Sequence, residues 1–415
     1  MADGVNPLVN QSLDVSGIRA QFPALNQNIY GNKPLVYLDS AASAQKPEAV
    51  LRAMDEFQRQ DYSNVHRGVH CLSQRATDAF EASRETVAQF LSANVDEIVF
   101  TKSTTEAINL VAHGMGELLH AGDEIILTEL EHHANIIPWQ LAAQRKGFTI
   151  KVVPILDDGQ INFDAFKALL SDKTKLVACA YVSNVLGTVL PVADIIENAH
   201  AVGAQVLLDA SQAVTHRKVD VKALDVDYLV FTGHKLYGPT GIGVLYGRHE
   251  LLQALPPYQG GGDMIDRVSF DGSTFKDAPF KFEAGTPAIT EAIGLGAAID
   301  WVSSVGLDNI AAHEDKLLHY AHERLAAFGG IRIHGQAPDK VSVVSFTLDN
   351  IHAIDAATIL DKTGVAVRVG QHCAEPLHDR LGVSSTARAS FAAYNNFDDV
   401  DALIEGLGVV RELFS

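Results

Sequence analysis

The chain has little cysteine, little positive charge and no long apolar run, and each shortage removes a class of function. Only three of its 415 residues are cysteine, and Cys71, Cys179 and Cys373 are far apart. An odd, scattered set does not build a disulfide framework, so a reducing cytoplasm is the expected compartment. No C-x-x-C and no H-E-x-x-H occurs, so no metal is expected. Lysine and arginine number 32 against 51 aspartates and glutamates, a net charge of −19. Nucleic acid and anionic membrane both call for clustered positive charge, so neither is an expected partner. No stretch approaches membrane-spanning length, and the first thirty residues lack a basic-then-apolar leader, so a soluble protein is expected.

What is present is apolar material in an alternating arrangement. At 47% hydrophobic residues the chain can bury a substantial core. From about residue 95, short runs such as D-E-I-V-F-T, T-K-L-V-A-C-A-Y-V, A-Q-V-L-L-D-A and V-D-Y-L-V-F-T-G alternate with helical periodicities. Near-continuous Val/Ile/Leu strands between helices indicate an α/β protein with a parallel sheet covered on both faces. Past residue 290 a long helical stretch leads to K-V-S-V-V-S-F-T-L and a last helix near 396–413, which reads as a smaller α/β domain. The expected division is a segment over 1–33 that packs with the small domain, a large domain over 34–290, and a small domain over 291–415. Within the first segment, D-V-S-G-I-R-A-Q-F-P-A-L is expected to be helical.

Ligands of such sheets bind beyond the carboxyl ends of the strands, so the residues following each strand carry the chemistry. After D-E-I-V-F, Ser103 and Glu106 have capping-box spacing, and Ser103, Thr104 and Thr105 open a helix as a hydroxyl-rich cup for a phosphate. An ordinary capped helix is the plainer alternative. After A-Q-V-L-L, Asp209 either caps the next turn or holds a buried cation such as a protonated ring nitrogen. After V-D-Y-L-V-F, Lys235 lies among Gly233, Gly238, Gly241 and Gly243. Desolvation there would make it a nucleophilic amine fit for a Schiff base; a phosphate-binding or surface lysine is the alternative. His132 and His133 are adjacent and point different ways, so a stacking or proton-transfer role for one ring suits them better than a metal. A phosphate cup, an acid for a ring nitrogen, a flat side chain for a ring face and an activated lysine together describe a site for pyridoxal phosphate.

The stretches E-H-H-A-N-I-I-P-W, V-S-N-V-L-G-T-V-L-P, D-A-S-Q-A-V, F-T-G-H-K-L-Y-G-P-T-G-I-G-V-L-Y-G, F-E-A-G-T-P, R-V-G-Q-H-C-A-E-P-L and R-A-S-F-A-A-Y-N resemble the group II cysteine desulfurases of the Suf and Csd type, which are selenocysteine lyase-like members of the class V aminotransferases. The resemblance runs from about residue 14 to the end. It implies the fold-type I, aspartate aminotransferase-like architecture and a homodimer. By motif, Lys235 would hold the cofactor aldehyde, Asp209 the pyridine nitrogen and Gln212 the ring hydroxyl. His132 would stack on the ring and assist proton transfer, and Thr104, Thr105, Thr232 and His234 would hold the phosphate. Thr286 would reach the phosphate of the other subunit. Asn184 and Arg388 would bind the substrate carboxylate, with Arg368 at the entrance. His66 and Arg67 would lie near the dimer interface and the substrate.

Cys373 would be the nucleophile that takes sulfur from L-cysteine and leaves L-alanine. The enzyme would supply sulfur for iron–sulfur cluster assembly, pass it to a SufE- or CsdE-like acceptor, and extend to L-selenocysteine. Ser103, Val369 and Gln371 depart from one subgroup or the other and leave Suf and Csd both open. The Cys373 stretch lacks the long insertion of group I enzymes, which implies a short, fairly rigid loop. Cys71 and Cys179 read as packing residues. Two rivals stand beside this reading: another fold-type I enzyme such as an aminotransferase, and a non-enzymatic sulfur carrier or redox sensor.

Overall fold

The computed structural model of the chain describes residues 13–414. Its largest element is a seven-stranded sheet of β1 (Ile98–Thr101), β2 (Glu124–Thr128), β3 (Thr149–Val153), β4 (Thr174–Ala180), β5 (Gln205–Asp209), β6 (Tyr228–Thr232) and β7 (Gly243–Gly247). The strand order is β1-β7-β6-β5-β4-β2-β3. Strands β2 to β6 pair in parallel, and β7 alone runs antiparallel to both its neighbours. Alternate residues feed opposite cores, as the two-residue period of a strand requires. Val206, Leu208, Phe231 and Val244 face one helical layer, and Leu207, Val230 and Leu245 face the other, where Trp139 is fully buried. Each such aliphatic side chain contributes roughly 1.5–3 kcal/mol on leaving water, which is why these runs read as unbroken apolar strands.

The long helical stretch past residue 288 is two helices, α2 (Ile289–Val305) and α3 (Leu307–Phe328), with α1 (Thr104–Leu118) preceding them in the chain. Gly306 separates them at φ +88°, a conformation that a side chain resists. A second, antiparallel sheet follows: β8 (Ile331–His334), β9 (Val343–Leu348), β10 (Arg368–Gly370) and β11 (Thr386–Ser390), in the order β8-β9-β11-β10. Between β10 and β11 lies α4 (Glu375–Leu381), and α5 (Phe397–Leu413) closes the chain where the last helix is expected.

The early chain is tied to this smaller body. Val36–Tyr37 pairs in parallel with Val365–Ala366, and Val36 and Leu38 share a core with Leu317, Leu360 and Leu403. The expected amphipathic helix is one turn and a half, Val15–Arg19, followed by a 3-10 turn at Pro23–Leu25. Its anchor is Phe22, buried edge-on against Trp301 and Tyr394. Residues 1–12 of that segment lie outside the described residues. Among the described residues no helix is long and apolar enough to cross a membrane.

Candidate active site

A cavity of about 390 Å³ opens where β1, β4, β5 and β6 end, between the large sheet and the loop after β10. Each strand delivers a residue to it as the strand stops. Asp209 is the last residue of β5 and is buried. Its Oδ1 accepts from Ser211 N–H at 2.9 Å, so it does cap the following turn, and among the described residues Oδ2 has no partner. Thr232 ends β6, and the next turn carries His234 and Lys235.

Among the described residues Lys235 Nζ has no hydrogen-bond or ion-pair partner. Burial pushes its pKa down to about 8, against the opposing pull of Asp209. A lysine without a counter-ion in a walled cavity is a poised amine rather than a surface cation.

The other wall is built on α1. Ser103 caps it by accepting from Glu106 N–H at 3.2 Å, and the Glu106 side chain reaches back to Lys102 N–H at 2.6 Å, one residue earlier than the standard capping box. Thr104 and Thr105 therefore sit at a helix N-terminus that faces the cavity, with Thr104 Oγ1 2.8 Å from Ser211 Oγ. The cup depends on one glycine: a Cβ on Gly243 would lie 2.5 Å from the carbonyl carbon of Ser103.

His132 lines the cavity after β2. Its Nδ1 accepts from Ala134 N–H at 3.0 Å, so the neutral ring carries its proton on Nε2. Burial, with Lys235 adding to it, pushes its pKa down to about 4, which keeps the ring neutral near pH 7. Glu131, fully buried beside it, accepts from Asn135 Nδ2 at 2.7 Å and from Ala180 N–H at 3.0 Å, and so ties this loop to the end of β4.

Arg388 enters from β11. Its Nη1 donates to Asn184 O at 2.7 Å, while its buried Nε has no partner. Asp39 lies 3.6 Å from Arg388 Nη2 and receives a bidentate pair of bonds from Arg368.

Of the residues singled out from sequence, Thr104, Thr105, His132, Asn184, Asp209, Gln212, Thr232, His234, Lys235, Arg368, Cys373 and Arg388 all line this one cavity. Gln212 also donates to Ala41 O at 2.8 Å. Thr286, His66 and Arg67 do not join them. Thr286 lines a separate depression beside Tyr258, His66 bonds to Glu81 at 2.8 Å, and Arg67 pairs with Asp263. Two contributors were missed: Asp39, for which an acid after the apolar run V-Y-L was the available signal, and Ser211, whose hydroxyl meets Thr104 and had no signal of its own. Among the described residues no three of His, Cys, Asp and Glu gather as a metal-holding group.

Cys373 sits at the cavity mouth, exposed, on a short turn between β10 and α4. His372 and Cys373 have φ of +51° and +55°, two successive side-chain-bearing residues in the left-handed region. Each costs of order 1 kcal/mol or more, and such strain persists only where neighbours over-determine it. Here Asn184 Nδ2 donates to His372 O at 2.8 Å, and His133 N–H donates to Cys373 O at 2.7 Å.

Beneath the turn, His378 Nδ1–H donates to Ala374 O at 3.0 Å, so its Nε2 accepts from the Thr386 hydroxyl at 3.2 Å. Thr386 Oγ1 is then left to accept from His372 Nε2–H at 2.9 Å. Cys179 is buried within β4 as expected, but Cys71 is exposed at the first position of helix Cys71–Leu91, where its side chain faces solvent rather than a core.

Lys235, the acid Asp209 and the hydroxyls of Thr104 and Thr105 at a helix N-terminus line one cavity and fit pyridoxal phosphate. The free Nε of Arg388 suits a carboxylate. The model of the family described as aminotransferase class-V matches residues 36–403. The chain belongs to that family.

Within the family it stands with the cysteine desulfurases. It is 51% identical over 402 residues to the cysteine desulfurase of Dickeya dadantii, covering 96% of this chain and 97% of that protein. It is 44% identical to the cysteine desulfurase of Haloferax volcanii over 418 residues, 97% of this chain and 98% of the relative. The crystal structure of the cysteine desulfurase CsdA from Escherichia coli superposes with a TM-score of 0.90 at 42% identity, over 97% of this chain and all of that one. The apo cysteine desulfurase of Thermococcus onnurineus gives 0.91 at 39% identity, over 100% of this chain and 99% of that one. The enzyme therefore has the mixed, mostly parallel sheet and smaller sheet of the solved cysteine desulfurases.

Proposed function

We propose that the enzyme takes sulfur from L-cysteine onto Cys373 and releases L-alanine, using pyridoxal phosphate held by Lys235. The observation that carries this reading is that one cavity holds both an unpaired lysine and, at its mouth, an exposed cysteine on a strained turn. An aminotransferase has no use for that cysteine, and a thiol carrier has no use for the lysine.

Thr104, Thr105, Thr232 and His234 would hold the cofactor phosphate, Asp209 the ring nitrogen, Gln212 the ring hydroxyl, and the neutral His132 ring the ring face. When bound, the cofactor supplies an electron sink for the substrate carbon next to the carboxylate. Arg388 Nε and the Asn184 amide orient the substrate carboxylate, which places the substrate sulfur toward the cavity mouth. The Lys235 amine would remove the proton from the substrate α-carbon and later return one. The Cys373 thiolate attacks the substrate Sγ. The new S–S bond leaves a persulfide on Cys373, and the electron pair of the broken C–S bond goes to carbon, which is protonated to give alanine.

The same reading extends to L-selenocysteine, to supply of sulfur for iron–sulfur clusters through a SufE- or CsdE-like acceptor, and to a cytoplasmic homodimer. Residues 34–290 would hold the cofactor, and 291–415 would carry the Cys373 loop. Support for a second copy comes from Thr286, His66 and Arg67, which lie off this chain's cavity, and from fully exposed Val69 and Phe270.

The test is the visible spectrum of the purified protein before and after L-cysteine, with alanine and sulfide measured together. In Cys373→Ser the spectral response to L-cysteine is expected to remain and desulfuration to fall by more than about 100-fold, because a hydroxyl is a poor nucleophile toward sulfur. Full turnover by that variant, or the extra sulfur found on Cys71 or Cys179 by mass spectrometry, would overturn the assignment.

A further inference from the structure

The second histidine of E-H-H-A-N has no place in holding the cofactor, yet it touches the nucleophile turn twice. His133 N–H donates to Cys373 O at 2.7 Å, and His133 Nε2 accepts from Glu375 N–H at 3.0 Å. One residue of the large-sheet body thus grips the chain on both sides of Ala374. The second bond uses the ring as a helix cap, because Glu375 N–H opens α4 and has no partner within the helix. Asn184 holds the neighbouring carbonyl of His372. Between these grips lie the two left-handed residues, and a backbone of that kind relaxes when its holds are removed.

We infer that His133 is a positioning residue for the sulfur-transfer step: its Nε2 acceptor keeps the Cys373 turn in its strained form at the cavity mouth. The inference rests on Cys373 being the nucleophile. The ring nitrogen matters as an acceptor, and not as bulk or as a base toward substrate. Glutamine places an amide oxygen near the position of Nε2, whereas phenylalanine keeps the ring and removes the acceptor.

The experiment compares the holoenzyme with His133→Phe and His133→Gln. It reads kcat and KM for L-cysteine, cofactor absorbance, and the rate at which iodoacetamide labels Cys373 without substrate. His133→Phe is expected to lose about fivefold in kcat, the population shift that one lost hydrogen bond brings, with KM and cofactor content unchanged and a changed labelling rate. His133→Gln is expected to recover most of that loss.

Wild-type kcat and labelling in His133→Phe would overturn the inference. So would a His133→Gln as impaired as His133→Phe, or a loss carried by KM alone. A changed labelling rate with unchanged kcat would show a grip that does not serve sulfur transfer, which also overturns it. If instead Cys373→Ser desulfurates normally, the reading beneath fails, and labelling still reports whether His133 holds the turn.

Discussion

Lys235 is governed by two opposing surroundings. Burial disfavours its cation, and Asp209 favours it; burial wins, and the pKa falls to about 8 from the usual 10.5. Only the neutral amine attacks an aldehyde, and its fraction grows as pH rises through the pKa. Capture of pyridoxal phosphate by the apoprotein is therefore expected to speed up with pH and level off above about 8. An ordinary lysine would still be gaining near pH 10. Stopped-flow absorbance across pH 6.5–10 checks this, and continued acceleration past pH 9 would count against a poised Lys235. The three cysteines make the same point about surroundings. Cys179 is sealed in β4, where burial pushes its thiol pKa well up, while Cys71 and Cys373 are exposed, and Cys373 lines the cavity that holds Lys235.

At the scale of elements, the site depends on how closely β7 passes beneath the turn that opens α1. A Cβ at residue 243 would meet the Ser103 carbonyl carbon at 2.5 Å, its Cα at 2.7 Å and its nitrogen at 2.9 Å. All three are backbone atoms, and backbone cannot swing aside as the end of a side chain can. Gly243→Ala is expected to cost about 1–3 kcal/mol in stability, the usual range for overpacking, and to weaken cofactor retention several-fold if the moved residues hold the phosphate as proposed. Chemical denaturation and a cofactor dissociation constant measure the two effects. A variant with wild-type values in both would show that the cup tolerates displacement. Much of this was legible in sequence: the Gly-rich run around Lys235 marks close backbone approach, and Ser103 with Glu106 marks the helix start. What Gly243 approaches was not legible, because Ser103 lies on a different strand connection, 140 residues earlier by number.

For the molecule as a whole, one buried and three half-buried imidazoles set the acid limit. Burial pushes His132, His234, His322 and His334 down to about 4 from 6.5. In the unfolded chain these rings take up protons near pH 6.5, and in the folded chain they resist until about 4. The unfolded state thus binds more protons across that window, and stability falls as pH falls. Glu131 works the other way. Burial raises it to about 7, so its contribution is present at low pH and is lost as pH rises through 7. Asp399, also raised by burial, acts with Glu131, and two carboxyls against four imidazoles leave the net direction unchanged. The thermal midpoint is expected to drop by on the order of 5 °C or more between pH 7.5 and pH 5. A flat or rising midpoint in differential scanning calorimetry would contradict it.

The sequence by itself determined the class of the fold and the family, and it singled out the lysine, the acid and the cysteine that line one cavity. Those properties reside in local pattern: apolar runs of strand length, and chemistry-bearing residues placed immediately after them. Only the tertiary structure decided which of those residues meet. Thr286, His66 and Arg67 carry motifs as distinctive as the rest, yet they lie off this chain's cavity. Asp39, not singled out in sequence, bridges Arg368 and Arg388 across some 330 residues of chain. The strained turn at Cys373 and the grip of His133 upon it were equally hidden. A left-handed backbone at a histidine and a cysteine has no local cause; it exists because Asn184 and His133, on the large-sheet body, hold its carbonyls from outside.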